Sequence, residues 1–328
     1  MLKLGELLVK LKMMYSFLNS DIEIIEKTLE ETVHADSDLL RESSLHLLKA
    51  GGKRIRPIFV LLSGQFGDYD IHKIKKAAVS LELIHMASLV HDDVIDDADL
   101  RRGQPTIKAR WDNKVAMYTG DYIFARSMEI MSEIDKPDAH RVLANTIVEV
   151  CLGEIQQIKD KYRFDQNLRD YFRRIKRKTA LLISASSLVG AIVSDVDNRY
   201  LKLLYQFGYY VGMSYQIIDD VLDFVGTEKD LGKPAGGDLL QGNITLPVFF
   251  AMEQEDIRSK IIKVHEGMDQ ESLNDIIDLV KNSDAIERSL NVSDKYLKKA
   301  LDSIKDLPNG KAKTALVNIA KYLGKRKF

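Results

Sequence analysis

The sequence predicts an all-α chain of long helices, and three observations carry that prediction. Apolar residues recur at helical spacing almost from end to end. The prolines Pro57, Pro105, Pro137, Pro234, Pro247 and Pro308 all stand beside glycine, in polar clusters or at helix starts, where a missing N–H costs least. No run of alternating β-branched residues bounded by turn signals competes with this pattern. At 328 residues the chain buries a substantial core, and continuous periodicity favours one domain over 1–328.

Taken in order, residues 1–19 place Leu4, Leu7, Leu8, Leu11 and Tyr15 at helical spacing, a helix that either packs on its own domain or faces a partner. The next helix has capping residues ready at Ser20 or Asp21. Gly51 and Gly52 interrupt the pattern, and Pro57 suits the first position of the following helix. Lys53, Arg54 and Arg56 therefore gather at a helix N-terminus, where backbone N–H groups and the macrodipole already favour anions. The apolar helix through Glu82, His85, Ala87 and Ser88 ends in His91, Asp92, Asp93, Asp96, Asp97 and Asp99, followed by Arg101, Arg102 and Gly103. At about 100° per residue, Asp92 and Asp96 lie one turn apart on one face. Gly103 to Thr106 reads as a loop, and 111–131 and 139–161 as long helices. The basic run Arg173, Arg174, Lys176, Arg177, Lys178, Thr179 opens another apolar helix, most of it a solvated face. A second acid cluster, Asp219, Asp220 and Asp223, follows Tyr215 and Gln216 on a further apolar run with the same spacing as the first. The glycine-rich segment 226–242 is the longest irregular stretch and reads as a mobile lid beside that cluster. The last third stays helical without an evident site.

Crowded carboxylates at the end of an apolar helix repel and, when desolvated, raise one another's pKa, so they call for a cation. Oxygen-only ligands favour a hard cation, and Mg²⁺ held by one or two carboxylates completes its shell with water and substrate phosphate. A single such cluster reads equally well as a solvated helix end; a second copy, each followed by cations and glycine (Arg101-Arg102-Gly103, then Gly232-Lys233-Pro234), describes a pocket for metal-bridged diphosphate. Lys and Arg total 48 against 49 Asp and Glu, a net charge of −1, so no global field favours nucleic acid or an anionic membrane. The one cysteine, Cys151, excludes an internal disulfide, fits a reducing cytoplasm and reads as a small core residue. No apolar run reaches the ~18–20 residues that span a bilayer, and charges interrupt the N-terminus where a signal peptide is continuous, so a cytoplasmic protein without stable membrane insertion is expected.

With these residues in view, the sequence resembles the trans-isoprenyl diphosphate synthases, the polyprenyl synthetase family, whose signatures are a DDxxD followed by RRG and a second DDxxD. The likeness covers roughly residues 45 to 250 in order, including Gly51-Gly52-Lys53-Arg54-Ile55-Arg56-Pro57, His85, Lys178-Thr179 and Gln216. The stretches LHLLKAGGKRIRP, LELIHMASLVHDDVID, VEVCLGEI and GMSYQIIDDVLDF look most like the catalytic component of the two-component bacterial members that make heptaprenyl diphosphate. The resemblance implies the isoprenoid synthase fold, helices around a central cavity, and Mg²⁺-dependent head-to-tail condensation of isopentenyl diphosphate onto an allylic diphosphate for quinone side chains. Carried over by position, Asp92, Asp96 and Asp219 hold metal, and Asp93, Asp220 and Asp223 support them. Arg101, Lys178, Thr179, Gln216 and Lys233 bind the allylic diphosphate, and Lys53, Arg56, His85 and Arg102 bind isopentenyl diphosphate. Arg54 and His91 receive no role. A small regulatory subunit forming a heterodimer is implied, a homodimer being the family default.

Small residues at Ala87 and Ser88, where short-chain members carry aromatics, imply a hydrocarbon tunnel that stays open past the first few isoprene units and is limited near Ile84, Leu81 or residues from neighbouring helices, the alternative being that they serve close helix packing. Three rivals share part of the pattern. A terpene cyclase needs no second diphosphate pocket, so Lys53, Arg56, His85 and Arg102 argue against it. A di-iron bundle would use Glu31-x-x-His34 and Glu82-x-x-His85 but leaves both acid clusters unexplained. A non-catalytic prenyl-binding subunit would have lost acids or cations that are present here.

Overall fold

A computed structural model describes residue 9, residues 11–226 and residues 235–325, and within them the chain is a helical bundle. A 3₁₀ turn, Ser16–Leu18, leads into α1 (Asn19–Thr32), α2 (Asp38–Lys49), α3 (Ile55–Gly64) and α4 (Ile71–Ile95). Two short strands, β1 (Leu100–Arg101) and β2 (Gln104–Pro105), precede α5 (Ile107–Arg110), α6 (Asn113–Ser132), α7 (Pro137–Asp160) and α8 (Leu168–Ile175). A π turn, Lys176–Ala180, joins α8 to α9 (Leu181–Val193), and α10 (Asn198–Val225) follows. The remainder is α11 (Gly237–Leu240), α12 (Leu246–Ala251), α13 (Glu255–Ile261), α14 (Gln270–Asn282), α15 (Ala285–Ser303) and α16 (Lys311–Gly324).

Side-chain caps fix where the long helices begin. The Asp70 carboxylate accepts from the His72 N–H at 2.9 Å at the start of α4, Asp112 from Val115 at 2.7 Å on α6, and Asp197 from Arg199 at 3.0 Å on α10. Asn167 and Asp170 form a reciprocal capping box on α8. α4 packs mainly on α6 and α3, α9 on α3 and α10, and α10 on α15. Buried side chains form two apolar clusters, and α10 belongs to both, with Phe207 and Val211 in one and Met213, Ile217 and Phe224 in the other. The helices approach closely where side chains vanish. A Cβ at Gly212 of α10 would sit 2.5 Å from the Ala180 Cα in the π turn.

Several local expectations are revised. α1 starts at Asn19 off the 3₁₀ turn with no side-chain cap, rather than at Ser20 or Asp21. Pro57 occupies the third position of α3, still within the first turn where its missing N–H is tolerated. Residues 100–105 are a hairpin instead of a loop. Arg102 and Gly103 turn it with φ of 55° and 75°, the left-handed pair that a two-residue hairpin requires. Cys151 is exposed rather than a core residue, on the face of α7 that also exposes Val148, Leu152 and Ile155. Leu11, Tyr15 and Leu18 are buried in the main cluster while Val9 and Met13 are exposed; Leu4, Leu7 and Leu8 lie outside the described residues. So does Lys233, while Gly237–Leu240 puts a helical turn into the segment read as irregular.

Candidate active site

The first acid cluster closes α4, where Asp92 is half-buried and Asp96 is the C-cap, its N–H bonding the Asp92 carbonyl at 2.8 Å. Burial pushes the Asp92 carboxyl up to about 7; Lys178 opposes this, and the neighbouring Glu154 and Asp96 carboxylates add to it. A carboxylate held so far above its ordinary range is short of positive charge. Asp93 points the other way and is buried, taking both Nε and Nη2 of Arg101 on Oδ1 at 2.7 and 2.6 Å. The first acid motif and the hairpin arginine are thereby locked together.

Lys178 stands on the π turn, its ammonium 3.0 Å from Gln157 Oε1 and 3.4 Å from Glu154 Oε2 on α7, within electrostatic reach of Asp92 and Asp96. Thr179 beside it donates to Gln216 Oε1 at 2.6 Å, and Gln216 Nε2 donates to Asp220 Oδ1 at 2.9 Å. The π turn thus faces the first acid cluster with one residue and the second helix with the next. Wide turns of this kind are frequent at functional sites. Asp220 is buried, its carboxyl pushed up to about 7 by burial and by Asp238. Asp223 is buried as well, and its Oδ2 accepts the Asp238 N–H at 3.1 Å, tying the end of α10 to the segment after 234.

A cationic pocket lies around His85, two turns before Asp92 on α4. Arg56 and Arg102 converge near Glu82 and Tyr215, and burial lowers both guanidinium pKa values. Gly52 leaves room for Arg102, whose Nη1 would lie 2.9 Å from a Cβ there. Among the described residues, Arg56 Nε is a buried donor with no hydrogen-bond partner, an invitation to an anion. His85 is driven well below its ordinary value by burial and then by Arg56, Arg102, Arg101 and Arg54, so it enters this pocket as a neutral imidazole. Arg54 is structural. It bridges Glu26 (2.6 and 3.1 Å) and Glu82 (3.2 Å) from a left-handed backbone conformation, φ 48°. Glu82 thereby serves an arginine, which removes it from the di-iron pattern. Among the described residues no three His, Cys, Asp or Glu side chains converge on a ready-made metal cage. Carboxylates that present one or two oxygens each fit a cation completed by substrate phosphate.

The family model for polyprenyl synthetase matches residues 37–282. The chain belongs to the polyprenyl synthetase family. It is 63% identical over 320 residues to heptaprenyl diphosphate synthase component 2 of Bacillus subtilis, covering 98% of this chain and 92% of that one. Its fold superposes on the crystal structure of heptaprenyl diphosphate synthase from Staphylococcus aureus with a TM-score of 0.91 at 44% identity, over 94% and 98% of the two chains. It superposes equally well, TM-score 0.91 at 27% identity over 97% and 98%, on a polyprenyl synthase from Caulobacter crescentus solved with calcium and isoprenyl diphosphate. The all-α isoprenoid synthase fold is therefore shared along nearly the whole chain, and polyprenyl synthetases depend on divalent metal.

Several residues of this polyprenyl synthetase site were absent from the sequence reading. Glu154, Gln157, Lys161, which lies 3.5 Å from Asp96, and Tyr171, whose hydroxyl donates to Asp220, come from other helices. His91 packs edge-on to Gly120 and sits 3.3 Å from Asp121 on α6, consistent with an orienting contact between helices.

Proposed function

We propose that this chain is the catalytic component of a long-chain trans-prenyltransferase, condensing isopentenyl diphosphate onto farnesyl diphosphate up to heptaprenyl length for quinone side chains. The observation that carries it is the pairing of two unlike diphosphate pockets, one lined by carboxylates and Lys178, the other by Arg56, Arg102 and neutral His85. The close likeness to proteins of that name supports the product class. A terpene cyclase has no use for the second pocket.

In the reaction the allylic C–O bond ionises and the electron pair leaves with diphosphate. The double bond of isopentenyl diphosphate then attacks the allylic cation, and a proton departs to restore an alkene. Asp92, Asp96 and Asp219 would hold Mg²⁺, which would supply charge stabilisation for the departing diphosphate. Lys178 and Arg101 add fixed positive charge there, and Thr179, Gln216 and Lys233 orient the allylic group. Lys53, Arg56, His85 and Arg102 hold the diphosphate that never ionises. Asp93 aims Arg101, Asp220 aims Gln216, and Asp223 holds Gly236 and Asp238 to the end of α10. No side-chain base is required, because the released diphosphate accepts the proton.

Residues 1–328 act as one catalytic unit in this reading, as the sharing of α10 between both apolar clusters supports. The relatives' designation as component 2 supports a smaller partner subunit in a heterodimer, with a homodimer forming in its absence. Among the described residues no helix is long and apolar enough to cross a membrane, which supports a cytoplasmic enzyme. The test incubates the purified chain with isopentenyl diphosphate, farnesyl diphosphate and Mg²⁺, with and without the small subunit, and sizes the products. Heptaprenyl diphosphate is expected with both subunits present; no Mg²⁺-dependent condensation in either arm would overturn the proposal.

A further inference from the structure

We propose that Tyr171 is a positioning residue of the allylic-diphosphate site, acting through Asp220 and Gln216 to fix Thr179 and the neighbouring Asp219. The proposal rests on the prenyltransferase reading and adds a residue from outside both acid motifs. Tyr171 is fully buried on α8, its ring edge-to-face with Phe172 (5.2 Å) and tilted against Phe249 (5.9 Å). Its hydroxyl donates to Asp220 Oδ2 at 2.7 Å, and the other oxygen of Asp220 takes the Gln216 amide. Arg174 lies over the same ring at 5.7 Å and is anchored to Gln166 Oε1 at 3.0 Å and to the Ile244 carbonyl, so the tyrosine is held on every side.

The direction of each bond follows from the first. With Tyr171 donating to one oxygen of Asp220, Gln216 turns its nitrogen to the other and its oxygen to Thr179, whose hydroxyl donates to it. The π turn makes this closure possible. Tyr171 and Thr179 are eight residues apart, about 80° out of register on an unbroken α-helix. The wide turn takes back part of that rotation, so both reach residues one turn apart on α10. A buried carboxylate among apolar residues is costly unless fully bonded. Its two donors set the rotation of α10 at the position where Asp219 precedes it.

The expected size follows from partners that orient metal ligands, whose removal costs roughly 10–100-fold in metal affinity or activity. Tyr171→Phe keeps the ring and deletes the donor. Calorimetry with inorganic diphosphate plus Mg²⁺ should show affinity falling by about that factor. Binding of isopentenyl diphosphate without metal should stay near wild type, because Arg56, Arg102 and His85 face Glu82, Tyr215 and one another rather than Asp220. Combined with Thr179→Val, the two losses should be far from additive, since both break one chain of bonds. If Tyr171→Phe does not fold, 3-fluorotyrosine at 171 keeps the ring and strengthens the donor, and must shift Mg²⁺–diphosphate affinity. Equal weakening of both diphosphates, additive losses or no change in Mg²⁺–diphosphate binding overturns the positioning role. A wild-type chain that neither condenses nor binds diphosphate overturns the prenyltransferase reading itself, and the two failures are told apart by the wild-type control.

Discussion

Asp92 shows how a single residue trades stability for function. Its carboxyl rises from an ordinary 3.8 to about 7 in the folded chain, because burial penalises the charge more than Lys178 restores it. A carboxyl that holds its proton longer when folded makes the folded state bind more protons, so stability falls as pH climbs from about 4 to about 7. Metal-free Asp92→Asn should therefore melt a few degrees above wild type at pH 8, with the gap closing toward pH 4. Calorimetry in a chelator checks this, and a gap that does not change with pH would contradict it. In the same variant, and in Asp219→Ala, turnover should fall by about a thousandfold, the several kcal/mol a metal contributes to charge stabilisation. Lys53→Ala should instead raise the KM for isopentenyl diphosphate about tenfold with little change in kcat, since the diphosphate it holds does not ionise. A rise confined to the allylic KM would mean the two pockets are exchanged. Spacing alone places Asp92 with Asp96 on one face, whereas Lys53 and Arg56 were separated from Arg54 only by the family resemblance. Tyr171, Glu154 and Gln157 were not legible, because each reaches the site across a helix packing that no local pattern encodes.

At the scale of elements, the long helices and their order were readable from apolar periodicity, whereas the two devices that aim the site were not. The hairpin that carries Arg101 and Arg102 is built from strands of two residues each, too short for any alternation to show. The π turn is invisible for a related reason. No residue from Lys176 to Ala180 signals an extra turn, and the turn lies where Gly212 lets α10 approach Ala180. That approach is testable. In Gly212→Ala the new methyl would meet backbone, which cannot swing aside, and α10 must move off the turn that holds Lys178 and Thr179. Overpacking of this kind costs about 1–3 kcal/mol, measurable by urea unfolding. The KM for the allylic substrate should rise more than that for isopentenyl diphosphate. Normal kinetics in a destabilised variant would show that the turn holds its shape without α10.

For the whole molecule, the fold class followed from helical periodicity and the long-chain assignment from the family resemblance, yet the structure divides a pair that the sequence treated alike. Ala87 and Ser88 both lie about one turn before Asp92, at roughly 6–7.5 Å along the axis. Ala87 is 2% exposed and belongs to the main apolar cluster, while Ser88 is half-buried, its hydroxyl turned back to the His85 carbonyl at 2.8 Å. Ser88, His85 and Asp92 share one half-buried face of α4, so a hydrocarbon leaving a diphosphate at Asp92 is expected to meet Ser88 before Ala87. Ser88→Phe should close the path and shift products from the long-chain to the short-chain class, with the first condensation nearly unchanged because no acid or cation is touched. Ala87→Phe should act differently, forcing bulk into a filled core at a cost of about 1–3 kcal/mol and lowering the melting temperature before it changes product length. Chain-length analysis of both variants beside thermal unfolding decides between them. If Ala87→Phe shortens the product and Ser88→Phe leaves it long, the growing chain runs between α4 and α6 instead of along the half-buried face.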